Sequence, residues 1–198
     1  MNYYTPDDIQ LKRRSTRFVR RMFMMRQLGT FLCFLPILSV LMEMGKSLEL
    51  CALLFTNAFV WPYAAFRLAL RSRDPTGFER KNLTLDAAFG GFWVATMALS
   101  PLPSIIIMAV LISDRYSAGG WVQLKSALQA FLLTFLLAWL AEKAPLQLTF
   151  STRTVWLTLP LASGYLLALS VVSHNLTLSL RKKNQELERI ALMDPGLK

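Results

Sequence analysis

Apolar residues in this chain gather in long runs, and charged residues gather in short clusters between them. A helix needs roughly 17–25 residues to cross ~30 Å of hydrocarbon, so runs of this length read as membrane spans. Six can be drawn. The first covers about 27–44, with Pro36 inside it, and the second about 48–69, with Pro62 near its end. A third covers about 84–100 and a fourth about 102–117, joined by Ser100-Pro101-Leu102-Pro103-Ser104. Gly119-Gly120 separates a fifth, about 121–141, and the polar stretch from Glu142 to Arg153 precedes a sixth, about 154–178. The third and fourth are short, which predicts local thinning of the bilayer. The expected fold is all-α: a polytopic membrane helix bundle of six transmembrane helices.

The flanks differ from this core. Residues 1–10 are polar, and 11–26, LKRRSTRFVRRMFMMR, interleave cations with Leu11, Phe18, Val19, Met22 and Phe23 at helical spacing. That pattern predicts a basic amphipathic helix lying on an anionic inner leaflet. No small-residue cleavage site follows it, so it reads as a retained anchor rather than a leader. At the other end the sixth helix turns polar at Arg181, and Leu180, Leu187 and Ile190 keep a heptad-like spacing. The chain therefore divides into a basic segment, 1–26, a six-span membrane domain, 27–178, and a coiled-coil stub, 179–198.

Charge changes the picture in one respect. Lys and Arg number 22 against 12 Asp and Glu, a net charge of +10, which by itself points to nucleic acid. With six spans, however, all the cations except Lys46, Lys143 and Arg153 fall on one side. Cations accumulate in cytoplasmic loops, so the excess orients the bundle with both termini cytoplasmic and leaves no nucleic-acid partner to expect. The partner is the lipid bilayer. Cys33 and Cys51 sit at different depths of consecutive antiparallel runs, too far apart for a disulfide, and read as small buried hydrophobes.

Few residues offer chemistry. His174 is the one histidine, and no phosphate loop or nucleophile elbow occurs, so neither a catalytic set nor a metal site is expected. Charges inside a membrane need a partner or water. Asp86 begins the third span and is expected to favour the helix N-terminus, paired with Arg67 or Arg80, or else to form a ligand or proton site. Asp114 and Arg115 are expected to mark the interface, while Glu43 and Glu49 flank the first outer turn. Trp61, Asp86 and Trp93 are candidates to hold a small-molecule or lipid signal, and His174 is a candidate pH-sensitive group. Ala87, Gly91, Ala95 and Ala98 form a small-residue stripe suited to close helix packing, within the chain or across a dimer.

Several of these segments together resemble the MASE type 2 family of bacterial membrane-associated sensor domains. The residues that carry the likeness are Phe34-Leu35-Pro36-Ile37, Phe59-Val60-Trp61-Pro62 and Arg73-Asp74-Pro75. Glu79, Asn82-Leu83, Asp86-Ala87, Gly91-Phe92-Trp93, Leu102-Pro103-Ser104 and Gly119-Gly120 continue it in order, over roughly residues 17 to 180. The resemblance implies a bacterial inner-membrane domain placed before a cytoplasmic output domain. That output is usually a GGDEF diguanylate cyclase, which condenses two GTP into cyclic di-GMP, and less often a class III adenylate cyclase. Ala191-Leu192-Met193-Asp194-Pro195 looks like a lead-in to a GGDEF domain, but the signature itself is absent from the 198 residues. These residues are therefore not expected to catalyse, and GTP and Mg would belong to the output domain. The resemblance further implies a homodimer in which Leu180, Leu187, Ile190 and Asp194 pass a signal along the last helix. A small transporter or channel and a passive anchor of an adenylate cyclase are the competing readings.

Overall fold

The computed structural model describes residues 6–143, 145, 146, 148, 149 and 151–193, and divides into two units, Met1–Thr158 and Leu159–Lys198. Among the described residues all regular structure is helical. The elements are α1 (Pro6–Glu43), α2 (Leu48–Phe55), a π-helical turn (Thr56–Val60), α3 (Trp61–Arg71), α4 (Pro75–Thr96), α5 (Pro101–Ala141) and α6 (Thr152–Met193). Four stretches are long and apolar enough to cross a membrane: Gln10–Glu43, Leu48–Arg71, Pro101–Ala141 and Thr152–Val171. Outward-facing Leu132, Leu133, Leu136, Leu137 and Leu140 on α5 fit a lipid surround better than water.

In the first unit, α1 joins the basic segment and the first apolar run into one helix of 38 residues, about 57 Å long. This corrects the expectation of a separate helix lying on the leaflet. The apolar stripe has a protein partner instead: Met22, flanked by Phe18 and Met25, packs on Leu83 and Ala118. The second run is also one rod, Leu48–Arg71, but its backbone widens at Thr56–Val60. Pro62 explains the widening, because it has no N–H and its ring would press on the carbonyl one turn back. That carbonyl, Ala58 O, instead accepts a hydrogen bond from Thr30 Oγ1 at 3.2 Å.

The charged stretch 70–83, which separates the second and third apolar runs, is mostly helix. Asp74 caps α4 by accepting from Gly77 N at 3.0 Å, with Pro75 at the first helical position. Starting the helix there carries Glu79, Asn82 and Asp86 onto one face, at spacings of three and four. The small-residue stripe packs within the chain: Gly91 lies so close to the Phe131 carbonyl of α5 that a Cβ would collide with it.

The 41 residues of α5 are two arms. Asp86 meets Arg115 and Gly90 meets Ile107, so the first arm runs antiparallel to α4. Gln123 meets Arg80, Ser126 meets Thr84 and Phe131 meets Gly91, so the second arm runs parallel to it. The chain reverses at Gly119-Gly120, where the sequence predicted a break. Gly120 makes the turn possible at φ 62° and ψ −151°, a conformation essentially closed to other residues.

The ends sort accordingly. At one end Glu43 accepts hydrogen bonds from Ser151 and from Thr154 Oγ1 (2.8 Å), and Lys46 pairs with Glu142. At the other Arg21 Nη2 donates to Ser117 Oγ at 3.0 Å. Between them Ile37, Leu41, Leu54, Trp93, Met97, Leu111 and Phe131 form the core.

The second unit consists of the later turns of α6, which is continuous to Met193. His174, Leu180 and Leu187 are exposed. Asp194 lies outside the described residues, as does the side chain of Ile190.

Candidate functional site

A charged cluster sits where α1, α3, α4 and the first arm of α5 meet. Glu79 and Asp86 project from the polar face of α4, and Arg26 reaches both from α1. Its Nη2 lies 2.7 Å from Glu79 Oε1 and its Nε lies 2.7 Å from Asp86 Oδ2. The side chains of Arg26 and Glu79 are 1% and 0% exposed, so this pair is shielded from water. Arg115 adds a longer contact to Asp86 Oδ2 at 3.4 Å, and Asn82 Nδ2 donates to Glu79 Oε2 at 3.2 Å. Asp86 is completed by Trp61, whose Nε1 donates to Oδ1 at 2.6 Å.

Desolvated charges are tolerated only when their partners and hydrogen bonds are well placed, and here one arginine bridges two carboxylates that are themselves hydrogen-bonded. Arg26 stands 17 residues before the end of α1, about 26 Å along the helix, which puts the cluster deep beneath the Glu43 end. Two expectations are corrected. Asp86 pairs with Arg26 and Arg115, because Arg67 and Arg80 point outward and are exposed. Asp114 and Arg115 are buried at 6% and 7% exposure, not interface markers, because α4 supplies the counter-charge.

A cavity of ≈ 90 Å³ opens beside the cluster, and the widened turn of the second rod forms part of its wall through Asn57 and Ala58. Its lining combines the polar residues Arg26, Asp86, Asp114 and Arg115 with the apolar residues Ile37, Leu54, Ile107 and Leu111. Trp61 and Trp93 both line it, and Trp93 Nε1 is held by Asn57 Oδ1 at 3.0 Å. Three of the four residues picked from sequence, Trp61, Asp86 and Trp93, therefore surround one space. His174 belongs to the second unit and is exposed. Glu49 is exposed, whereas Glu43 joins Ser39, Ser151 and Thr154.

Arg26, Glu79 and Arg115 were not singled out from sequence as site residues. Glu79 was detectable in principle, since with a helix start at Pro75 it shares a face with Asn82 and Asp86. Arg26 was hidden among the other cations of 11–26, and nothing in its neighbours distinguishes it.

Residues 21–109 match the family model of the MASE2 domain. The chain is also similar to the probable diguanylate cyclase DgcC of Escherichia coli strain K12, at 29% identity over 185 residues. The same figures hold for the protein of that name from Escherichia coli O6:H1 strain CFT073. In each case the alignment covers 92% of this chain and 49% of the relative, so the chain spans about half the length of the curated relatives it matches. No solved structure matches it. The matched range contains every residue of the charged cluster except Asp114 and Arg115.

Proposed function

We propose that this chain is the membrane-embedded sensory and dimerisation part of a diguanylate cyclase of the bacterial inner membrane. The observation that carries the reading is the similarity, along 92% of the chain, to relatives of twice its length that bear that activity in their name. A GGDEF output domain beyond the coiled-coil stub would bind GTP and Mg and join two GTP into cyclic di-GMP. One protomer holds one GTP, so two must meet, and a membrane dimer raises the effective concentration of the tethered domains.

The helix α6 is suited to carry the signal. Its apolar span ends at Val171, yet the same helix continues to Met193 through a charged stretch. A change in its rotation would alter how two output domains face each other, by as much free energy as the stimulus distinguishes the two states. The cavity between Trp61, Asp86 and Trp93 is a place in the first unit for a stimulus to act. Six crossings with both ends cytoplasmic complete the reading, supported by the reversal at Gly119-Gly120 and by the bias of cations to one side.

The test uses the full-length gene. Inserting one to four alanines after Leu178 rotates the helix by about 100° per residue. Cyclic di-GMP output is expected to rise and fall with that phase. Output that ignores the insertions, and survives replacement of residues 1–178 by an inert dimeric anchor, would remove the sensing role.

A further inference from the structure

We infer that the cavity beside Arg26 and Asp86 is a binding site for a small, uncharged molecule with one oxygen acceptor and a short apolar body. The inference deepens the sensor reading and rests on it for its purpose, but its test needs no cyclase.

Three observations converge on that chemistry. Size comes first: ≈ 90 Å³ admits a body of a few carbon atoms and excludes a whole lipid or a nucleotide. Charge comes second. Arg26 and Arg115 are already matched by Glu79 and Asp86, so the cluster offers an entering anion no guanidinium without a carboxylate beside it. A cation would have to compete with Arg26 for Asp86, whose Oδ2 it already holds at 2.7 Å and whose Oδ1 is taken by Trp61. The third observation is the hydrogen-bond balance. Arg26 and Arg115 both line the cavity, and in each one guanidinium nitrogen, Arg26 Nη1 and Arg115 Nε, is buried without a partner. Buried donors left unmet are rare and call for an acceptor. A hydroxyl or carbonyl oxygen supplies one without adding charge, while the apolar wall at Ile37, Leu54, Ile107 and Leu111 receives the carbon body.

The placement also gives such a molecule leverage. The lining comes from α1, α4 and α5 and includes the π-helical turn through Asn57 and Ala58. Occupancy therefore touches each of the rods that meet at Asp86.

The two cavity tryptophans allow a direct test with the full chain in lipid nanodiscs, using quenchers of matched size and different heads. 2,2,2-Trichloroethanol is neutral and carries the oxygen, trichloroacetate carries a charge, and 1,1,1-trichloroethane lacks oxygen. The alcohol is expected to quench in a saturable phase that propan-1-ol displaces and propylammonium does not. The other two quenchers are expected to be at least about tenfold weaker. The saturable phase should vanish in W61F/W93F and also in Leu111→Phe, which fills the cavity and leaves both tryptophans in place. Quenching that stays linear for all three, matches between the alcohol and either analogue, is displaced by propylammonium, or survives in Leu111→Phe would overturn the inference.

Discussion

Arg26 Nε and Asp86 Oδ2 lie 2.7 Å apart although sixty positions separate them in sequence, and the rest of the charged cluster is arranged around that contact. Removing one member of a buried pair leaves the other charged and unsolvated, which is destabilising by about 3–5 kcal/mol. Asp86→Asn keeps the shape and removes the charge that faces Arg26, Arg115 and Trp61. It should lower the thermal midpoint of the purified chain well beyond Trp61→Phe. The latter removes one hydrogen bond to a charged group, roughly 1.5–3 kcal/mol. A midpoint for Asp86→Asn equal to wild type would mean that the cluster does not hold these helices together.

Two adjacent glycines on α4 should behave differently. A Cβ at Gly91 would strike the Phe131 backbone, which cannot swing aside, so Gly91→Ala must push α4 and α5 apart. Such overpacking is destabilising by roughly 1–3 kcal/mol. At Gly90 the nearest atoms are side-chain carbons, Ile107 Cγ2 at 3.3 Å and Phe131 Cδ2 at 3.5 Å, which can give. Alanine also gains up to about 1 kcal/mol of helix propensity there. Gly90→Ala should therefore be near neutral in a denaturation series where Gly91→Ala is not.

The proposed topology makes a further prediction. Lys46 and Glu142 pair at the Glu43 end, while Arg73 and Ser117 lie toward the opposite end. In a background without Cys33 and Cys51, cysteines at Lys46 and Lys143 should react with an impermeant thiol reagent added outside intact cells. Cysteines at Arg73 and Ser117 should react only after the membrane is opened. Labelling of all four from outside would contradict the assigned sides.

The elements were legible in sequence wherever a single rule governs them. Long apolar runs marked the four stretches long enough to cross a membrane, and Gly119-Gly120 marked the reversal, because a backbone conformation that only glycine adopts leaves its trace in the residue type. The extent of α1 was not legible: a basic amphipathic stripe has the same pattern whether it covers lipid or covers Leu83 and Ala118. The start of α4 was obscured by charge, since Arg73, Glu79, Arg80 and Lys81 look like a solvated loop until Asp74-Pro75 is taken as a cap and first turn. Trp61, Asp86 and Trp93 could be chosen because an aromatic or a carboxylate stands out in an apolar run. Their arginine partners could not, because which cation among many turns inward is decided by tertiary packing rather than local pattern.

The Glu43 end offers a contrast between a charge and a hydroxyl at neighbouring positions. Arg153 Nε lies 3.9 Å from Glu43 Oε1 with its side chain 56% exposed, so water screens the attraction. Exposed pairs of this kind contribute about 0–1 kcal/mol. Thr154 is fully buried and ties two residues of α1 at once, donating to Glu43 Oε1 at 2.8 Å and meeting Ser39 Oγ at 3.0 Å. Thr154→Val keeps nearly the same shape and removes the buried hydrogen bonds to Glu43 and Ser39, which keep their other partners, a loss of about 1–3 kcal/mol. Thermal melts should therefore rank Thr154→Val clearly below Arg153→Gln, with the latter close to wild type and closer still in high salt. The reverse order would mean that ionic attraction, rather than the buried hydroxyl network, fastens the start of α6 to the end of α1.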